Sequence, residues 1–506
     1  MMNSNAKTSK PVWAHGSGKV QDVRERIVSF CAGRDVAGLP ACDQALVQQD
    51  IATNEAALLA LSKAGILTSD EAKKLAQALI ELRGDLDSDP FVLDPDLEDV
   101  HINIEQALRQ KAGDCAGKLH SGRSRNDQVA CDLRLWHREK ILTHLGETLG
   151  LLSLWLEQGE AEKGTVMPGF THHQRAFITT WGHLLVSYVQ AWLRDIERGW
   201  GVFERTNRSP IGAAAGFGTS WPLDRELMAS WLGFDSVLEN SADSVSSRIE
   251  VETDIAAWLA IWMNHCSLVA QDLILFSMEE FQWVALATEV TTGSSIMPQK
   301  RNPDFAEVIK GKTSLVHGIL TSLLSMAKGQ PSGYHRDSQY SKPLGQDLWR
   351  EIEGVPTVLE TVYGSLKLDR KAMKEATKGG FLEAAEWADT ISRESGLPFR
   401  EVYAVIGQAV DRCRKTGTLT RVAVNATLER NGLDYRVSVP TAKQLAHPEG
   451  LLEGRVSQGS PNPNRVQEQI ESMAGSVQSW ERKIRKAEKA IGKKNLERGR
   501  EIEKLL

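Results

Sequence analysis

The chain has 506 residues, enough at the usual ~100–200 residues per domain for roughly three domains and a core that needs no staples. Hydrophobic residues make up 41% and charged residues 25%, the proportions of an ordinary soluble globular protein. The net charge of −6 argues against general affinity for nucleic acid or membrane surfaces, so an anion site must be a local concentration of cations.

The six cysteines (Cys31, Cys42, Cys115, Cys131, Cys266 and Cys413) are scattered, with no CxxC and no Cys/His zinc spacing. They read as small buried hydrophobes in a reducing compartment. The polar opening MMNSNAKTSKPVW lacks an apolar signal core, and no apolar run approaches the ~18 residues that would span a bilayer. The expectation is a cytoplasmic protein.

Residues 1 to about 40 read as an irregular surface stretch. From Ala41 the apolar positions Leu46, Ile51, Leu58 and Leu59 take helical spacing, and Thr68 can cap a helix opening Ser69-Asp70-Glu71. The acidic stretch from Asp94 to His101 begins as a turn at Pro95, after which Ile102, Ile104 and Leu108 resume a helix. The polar, Gly-bearing break 120–128 opens a long helix through Leu133, Leu135, Ile141, Leu145, Leu151 and Leu154. A further break at 167–175 precedes a helix carrying Trp181, Leu184, Leu185, Tyr188 and Trp192. Two more long helices are expected over 254–281 and 305–326, separated by the polar run 293–304. Gly379-Gly380-Phe381 marks a boundary, and the Lys/Arg/Glu-rich tail from Trp480 reads as a solvated, frayed terminal helix. Period-2 segments are rare. The expected fold is all-α, with helical domains over 1–120 and 378–506 flanking a central bundle of long helices over 121–377.

Three polar segments, 120–128, 167–175 and 293–304, each stand at the mouth of a long helix. The first offers Arg123, Ser124, Arg125 and Asn126, donors enough for a carboxylate at a helix N-terminus. The second offers Thr171, His172 and Gln174; the third offers Ser294, Ser295, Lys300 and Asn302. Together they suit a dianionic substrate undergoing proton transfer at carbon. Taken singly, Arg123 and Arg125 read equally well as surface ion-pair partners, His172 as a structural histidine and Glu307 as a solvated carboxylate. Gly311-Lys312-Thr313 lacks the glycine five positions earlier that a phosphate loop needs, and the 212–218 glycines follow no strand.

Residues 293–304, Gly-Ser-Ser-Ile-Met-Pro-Gln-Lys-Arg-Asn-Pro-Asp, resemble the signature of the aspartase/fumarase superfamily. The segment 118–130 is similar to that of its argininosuccinate lyase branch, as are 167–175, Glu98-Asp99-Val100-His101 and Gly396-Leu397-Pro398-Phe399-Arg400-Glu401. The likeness runs from about residue 41 to about 470. It implies a homotetramer whose active sites are built from three subunits, and a reversible anti-elimination releasing fumarate from an N-substituted aspartate, with no cofactor or metal. On that resemblance Ser294 is the base at the β-carbon, and Lys300 with Asn302 stabilises the aci-carboxylate. His172, oriented by Glu307, serves the leaving nitrogen. Ser124, Arg125, Asn126 and Thr171 hold the succinyl carboxylates; Asp99, Tyr334, Gln339 and Lys342 complete the substrate-binding set.

The chain departs from the family pattern in several places. Asn54 and Ala57 stand where the branch has a substrate-facing Ser and a His, His335 where Asn is usual, and Ser247 where an acidic residue is common. These positions raise a second expectation, the same elimination with a different amine. A catalytically silent relative is a third, and adenylosuccinate as substrate is a weaker fourth.

Overall fold

The computed structural model describes residues 27, 30, 31, 40–88 and 91–506; the polar opening and most of the irregular stretch expected before residue 40 lie outside the described residues. The N-terminal part supplies α1 (Val47–Lys63), α2 (Ser69–Ser88) and α3 (Val100–Ala112). Thr68 starts α2 as expected: its hydroxyl accepts the Glu71 N–H at 3.3 Å, and Glu71 returns a bond to the Thr68 N–H at 3.0 Å. Asp99 caps α3 by accepting the Ile102 N–H at 2.8 Å.

Four long helices form the centre: α4 (Arg125–Ala161), α5 (Trp181–Thr206), α6 (Arg248–Ser277) and α7 (Asp304–Ala327). With 37 residues, α4 runs about 55 Å at 1.5 Å per residue. It packs along α5, and α6 lies between α5 and α7. Their contact is filled by aromatic rings, with Trp155 against Trp192 at 4.5 Å and Trp192 against Trp262 at 5.7 Å between centroids. Gly199 on α5 lets the indole of Trp258 on α6 approach; a Cβ there would lie 2.3 Å from Trp258 Cζ2. By length and composition α6 is apolar enough to cross a membrane, but half of its most apolar window is buried in this bundle. Two shorter central helices are α8 (Ser341–Ile352) and α9 (Val355–Ser365).

A second, smaller core gathers Leu382, Trp387, Ile391, Val402, Ile406, Val424, Leu428 and Leu451 around α10 (Ala384–Ser395), α11 (Phe399–Arg412) and α12 (Arg421–Arg430). The architecture is all-α, as expected from the helical periodicities.

Two local expectations are corrected. Residues 166–180 do not lead straight into a helix: they form an antiparallel hairpin, β1 (Val166–Thr171) with β2 (Gln174–Thr180). α5 starts only at Trp181, so the Thr171–His172 segment sits at a hairpin tip rather than a helix mouth. The tail is not a solvated helix. It is α13 (Pro463–Glu503), 41 residues long, whose Val466, Ile470, Met473, Val477, Ile484, Ile491 and Ile502 are buried in the main core against α4, α5 and α1. A narrow apolar stripe at three-, four- and seven-residue spacing is enough to dock a helix otherwise rich in charge.

Candidate active site

The start of α4 is held by a capping box. The Ser124 hydroxyl accepts the Asn126 N–H at 3.3 Å, and Asp127 Oδ1 accepts the Ser124 N–H at 2.9 Å. The other Asp127 oxygen accepts the N–H groups of Gly212 (3.0 Å) and Ala214 (2.8 Å), fastening the turn to the 210–218 connection. This turn sends its two arginines in opposite directions. Arg125 faces outward, its Nε 3.1 Å from Asp99 Oδ2, while Arg123 is buried and donates to Asn54 Oδ1 at 2.8 Å. Of the two cations expected to offer a carboxylate site, only Arg125 faces solvent.

A cavity of about 760 Å³ opens beside Arg125. Asp99, Arg125, Asn126, Tyr334, Gln339 and Lys342 line it, so residues separated by more than two hundred positions meet as the sequence motifs require. Lys342 is paired with Asp43, and the Arg248 guanidinium lies over the Tyr334 ring, 4.8 Å from its centroid. Asp43 and Arg248 also line the cavity, as do Asn103 and Arg336. None of these four was singled out from sequence. Asp43 has the look of an ordinary acid at a helix start, and Arg248 opens α6 with no motif of its own.

The other expected residues lie elsewhere on the chain. Ser124 caps α4 behind the cavity wall. Thr171 ends β1, and His172 and His173 form the two-residue turn of the hairpin with φ of 53° and 59°, the left-handed pair a tight hairpin demands. Both are exposed. Non-glycine residues held there cost of order 1 kcal/mol each, a strain common at functional turns. Phe170 anchors the hairpin against Phe281 and Trp283, and Arg175 donates to the Ala376 carbonyl at 2.7 Å.

The 293–304 segment is a loop closed by a short ladder, β3 (Thr292–Gly293) with β4 (Arg301–Asn302). Thr292 bonds to Asp304 at the start of α7, sealing its base. The Ser294 hydroxyl oxygen accepts the N–H groups of Ile296 (3.3 Å) and Met297 (3.1 Å), which orients it at the loop's entry. Lys300 and Glu307 are exposed, and Ile296 stands 83% exposed at the tip. Among the described residues lining the cavity there is none from 166–180 or 292–307. One chain therefore brings together the Asp99–Arg125–Lys342 half of the expected site and leaves the Ser294–Lys300, His172 and Glu307 half on its surface.

The departures from the family pattern fall outside this cavity. Asn54 and Ala57 are buried on α1. His335 contributes its carbonyl to the Ser338 N–H and hydroxyl but does not line the cavity. Ser247 accepts from the buried Arg134 at 3.3 Å, and Arg134 also donates to the carbonyls of Arg205 and Thr206. A separate cavity of about 520 Å³, lined by Arg83, Arg138, Arg498, Glu55 and Glu139, holds none of the expected residues.

Comparison with known proteins shows the family. Residues 41–318 match the model of the lyase family, and residues 381–434 match that of the argininosuccinate lyase C-terminal region. The chain is 42% identical to an argininosuccinate lyase of Alkalilimnicola ehrlichii over 369 residues, covering 73% of this chain and 78% of the relative. It is 34% identical to argininosuccinate lyase 1 of Mesorhizobium japonicum over 96% of this chain and 100% of the relative. An EDDS lyase variant solved with bound fumarate superposes with a TM-score of 0.85 at 22% identity, over 97% of this chain and 96% of that one. A class II fumarase from Schistosoma mansoni superposes at 0.64 and 13% identity, over 84% and 94%; these two likenesses concern the fold. By these matches, over more than half of the chain by family model and nearly all of it by relative, the chain belongs to the argininosuccinate lyase family.

Proposed function

We propose that this protein is a carbon–nitrogen lyase that splits argininosuccinate reversibly into arginine and fumarate, the closing step of arginine biosynthesis, in the cytoplasm. The observation that carries the reading is the 760 Å³ cavity, which Arg125 and Asn126 line together with Tyr334, Gln339 and Lys342. Arg125 supplies a guanidinium for a succinyl carboxylate. Lys342, Gln339 and Tyr334 supply an ammonium, an amide and a phenol for a polar amino acid. The departures that favoured another amine, Asn54, Ala57 and His335, do not line this cavity.

Ser294 removes the β-carbon proton. A serine hydroxyl is a weak base, so the 293–304 loop must close and exclude water, and Lys300 with Asn302 must stabilise the aci-carboxylate. His172, oriented by Glu307, assists protonation of the departing nitrogen, and Ser124 and Thr171 join Arg125 and Asn126 on the carboxylates. Because one chain leaves these groups apart, the working enzyme is a homotetramer in which each site takes its three segments from three subunits. Ile261 and Leu268 on α6, one heptad apart, and Leu315 and Leu324 on α7 are exposed apolar side chains along the bundle, as such an assembly needs. The test is direct: purified protein given argininosuccinate releases fumarate, and run in reverse with fumarate it accepts arginine from a panel of amines. No release above background defeats the reading.

A further inference from the structure

Three elements converge on a buried polar cluster behind the cavity wall. Asp50, Thr53 and Asn54 come from α1, His101 from α3, and Arg123 and Asp132 from the turn before α4 and from α4 itself; all six are at most 7% exposed. His101 Nδ1 lies 2.6 Å from Asp50 Oδ1. The Asn54 amide donates to Asp50 Oδ2 at 3.0 Å and to the Asp50 carbonyl at 2.9 Å, and its oxygen accepts from Arg123 at 2.8 Å. The Thr53 hydroxyl donates to Asp132 Oδ1 at 2.6 Å.

Burial and the neighbouring Asp50 charge push the Asp132 carboxyl well up. Burial acts the same way on Asp50, but His101 and Arg123 outweigh it and keep that carboxyl below its ordinary value. The ligand atoms of Asp50, His101 and Asp132 lie within 4.8 Å of one another, yet His101 and Asp50 already share a hydrogen bond and Arg123 stands beside them. A cation would have to displace that bond against a fixed positive charge.

The register of the cluster is what gives it a role. His101 lies two residues beyond Asp99, and Arg123 two residues before Arg125. Asp99 and Arg125 meet at 3.1 Å on the cavity wall. Asp50 and Asn54, four apart and so on one face of α1, grip the segment behind each of them. We propose that this face of α1 is a positioning bracket, fixing the Asp99–Arg125 pair through His101 and Arg123 so that Arg125 meets a substrate carboxylate in register. The inference rests on the assignment of Arg125 as a carboxylate ligand. The bracket residues do not touch substrate: the void bounded by Asn54, His101, Arg123 and Arg125 is about 10 Å³, the volume of one water at most. Asn54, one of the chain's departures from the family pattern, is thereby a member of the bracket.

Fumarate binding, measured by calorimetry on the intact protein, tests the bracket independently of the amine. Asn54→Ala and His101→Ala weaken fumarate binding about 10-fold, within the loss that an ångström-scale misplacement of a binding group produces, with secondary structure and assembly unchanged. His101→Asn, which keeps a donor towards Asp50, and the milder Asn54→Ser recover most of it. In an Arg125→Ala background the same substitutions change fumarate affinity by less than about twofold, because the group they position is gone. Unchanged affinity in Asn54→Ala and His101→Ala, an equal loss in the Arg125→Ala background, or a wild-type protein that does not bind fumarate would each overturn the proposal. A wild-type protein that binds fumarate but does not cleave argininosuccinate leaves the bracket standing and removes the substrate assignment instead.

Discussion

His144 lies in the middle of α4, buried among the edges of Trp258, Trp262 and Trp349, with ring centroids at 5.6, 4.4 and 6.1 Å. No charged group offsets its burial, and desolvation alone pulls its pKa from 6.5 down to about 3. In the unfolded chain the imidazole takes a proton near pH 6.5; in the folded one it stays neutral until about pH 3. Between those values the unfolded state binds the extra proton, so this group's contribution is intact above pH 6.5 and is lost as the pH falls towards 3. The slope approaches ~1.4 kcal/mol per pH unit, and between pH 7 and pH 5 the loss is about 2 kcal/mol per chain. His144→Met keeps the volume and removes the titration. Urea unfolding followed by tryptophan fluorescence at pH 7 and pH 5 gives the comparison, other titrating groups cancelling between the two proteins. Wild type should lose about 2 kcal/mol more than the variant over that interval. Equal losses in the two proteins would refute the argument that His144 is held neutral by burial.

Ser294→Ala should lower kcat by at least ~10²-fold in the fumarate-release assay, the lower range for loss of a proton-transfer group, with little change in thermal stability. Arg125→Ala and Ser294→Ala proteins, each nearly inactive alone, should regain roughly a quarter of wild-type activity when co-expressed, since about one site in four then draws both intact residues from different subunits. No recovery would place both residues in sites built by a single chain. Gly199→Ala should cost about 1–3 kcal/mol, because its methyl meets Trp258 Cζ2 at 2.3 Å and Leu145 Cδ2 at 2.9 Å; urea midpoints measure this. Asp127→Ala removes the acceptor for three N–H groups at the start of α4 and should cost several kcal/mol, at ~1–3 kcal/mol per orphaned buried group, measured the same way.

The bundle was legible in the sequence because long helices repeat their apolar positions along one stretch of chain. α4, α6 and α7 follow the stripes through Leu133–Leu154, Ile255–Phe276 and Phe305–Met326. Thr68 and Ser124 announced their helices because a cap is a contact within a few residues. The hairpin at 166–180 was not legible: its strands carry polar residues at the tip, and its buried Val166 and Ile178 pack on the distant 382–452 core. The tail of α13 was misjudged because charge outnumbers the narrow stripe that docks it.

What the sequence determined by itself was the inventory of chemistry: which loops carry a hydroxyl, a cation or an amide, and which family those loops resemble. Which way each side chain points was decided only in three dimensions. Arg123 and Arg125 are two residues apart and chemically identical, yet one pairs with a helix-buried amide and the other with the cap of a different helix. Asn54, a departure at a position that the resemblance gives to a substrate-facing Ser, is buried on α1 against Asp50 and Arg123. The spacing of residues in a turn does not encode its neighbours; those come from α1 and α3, and packing alone brings them there.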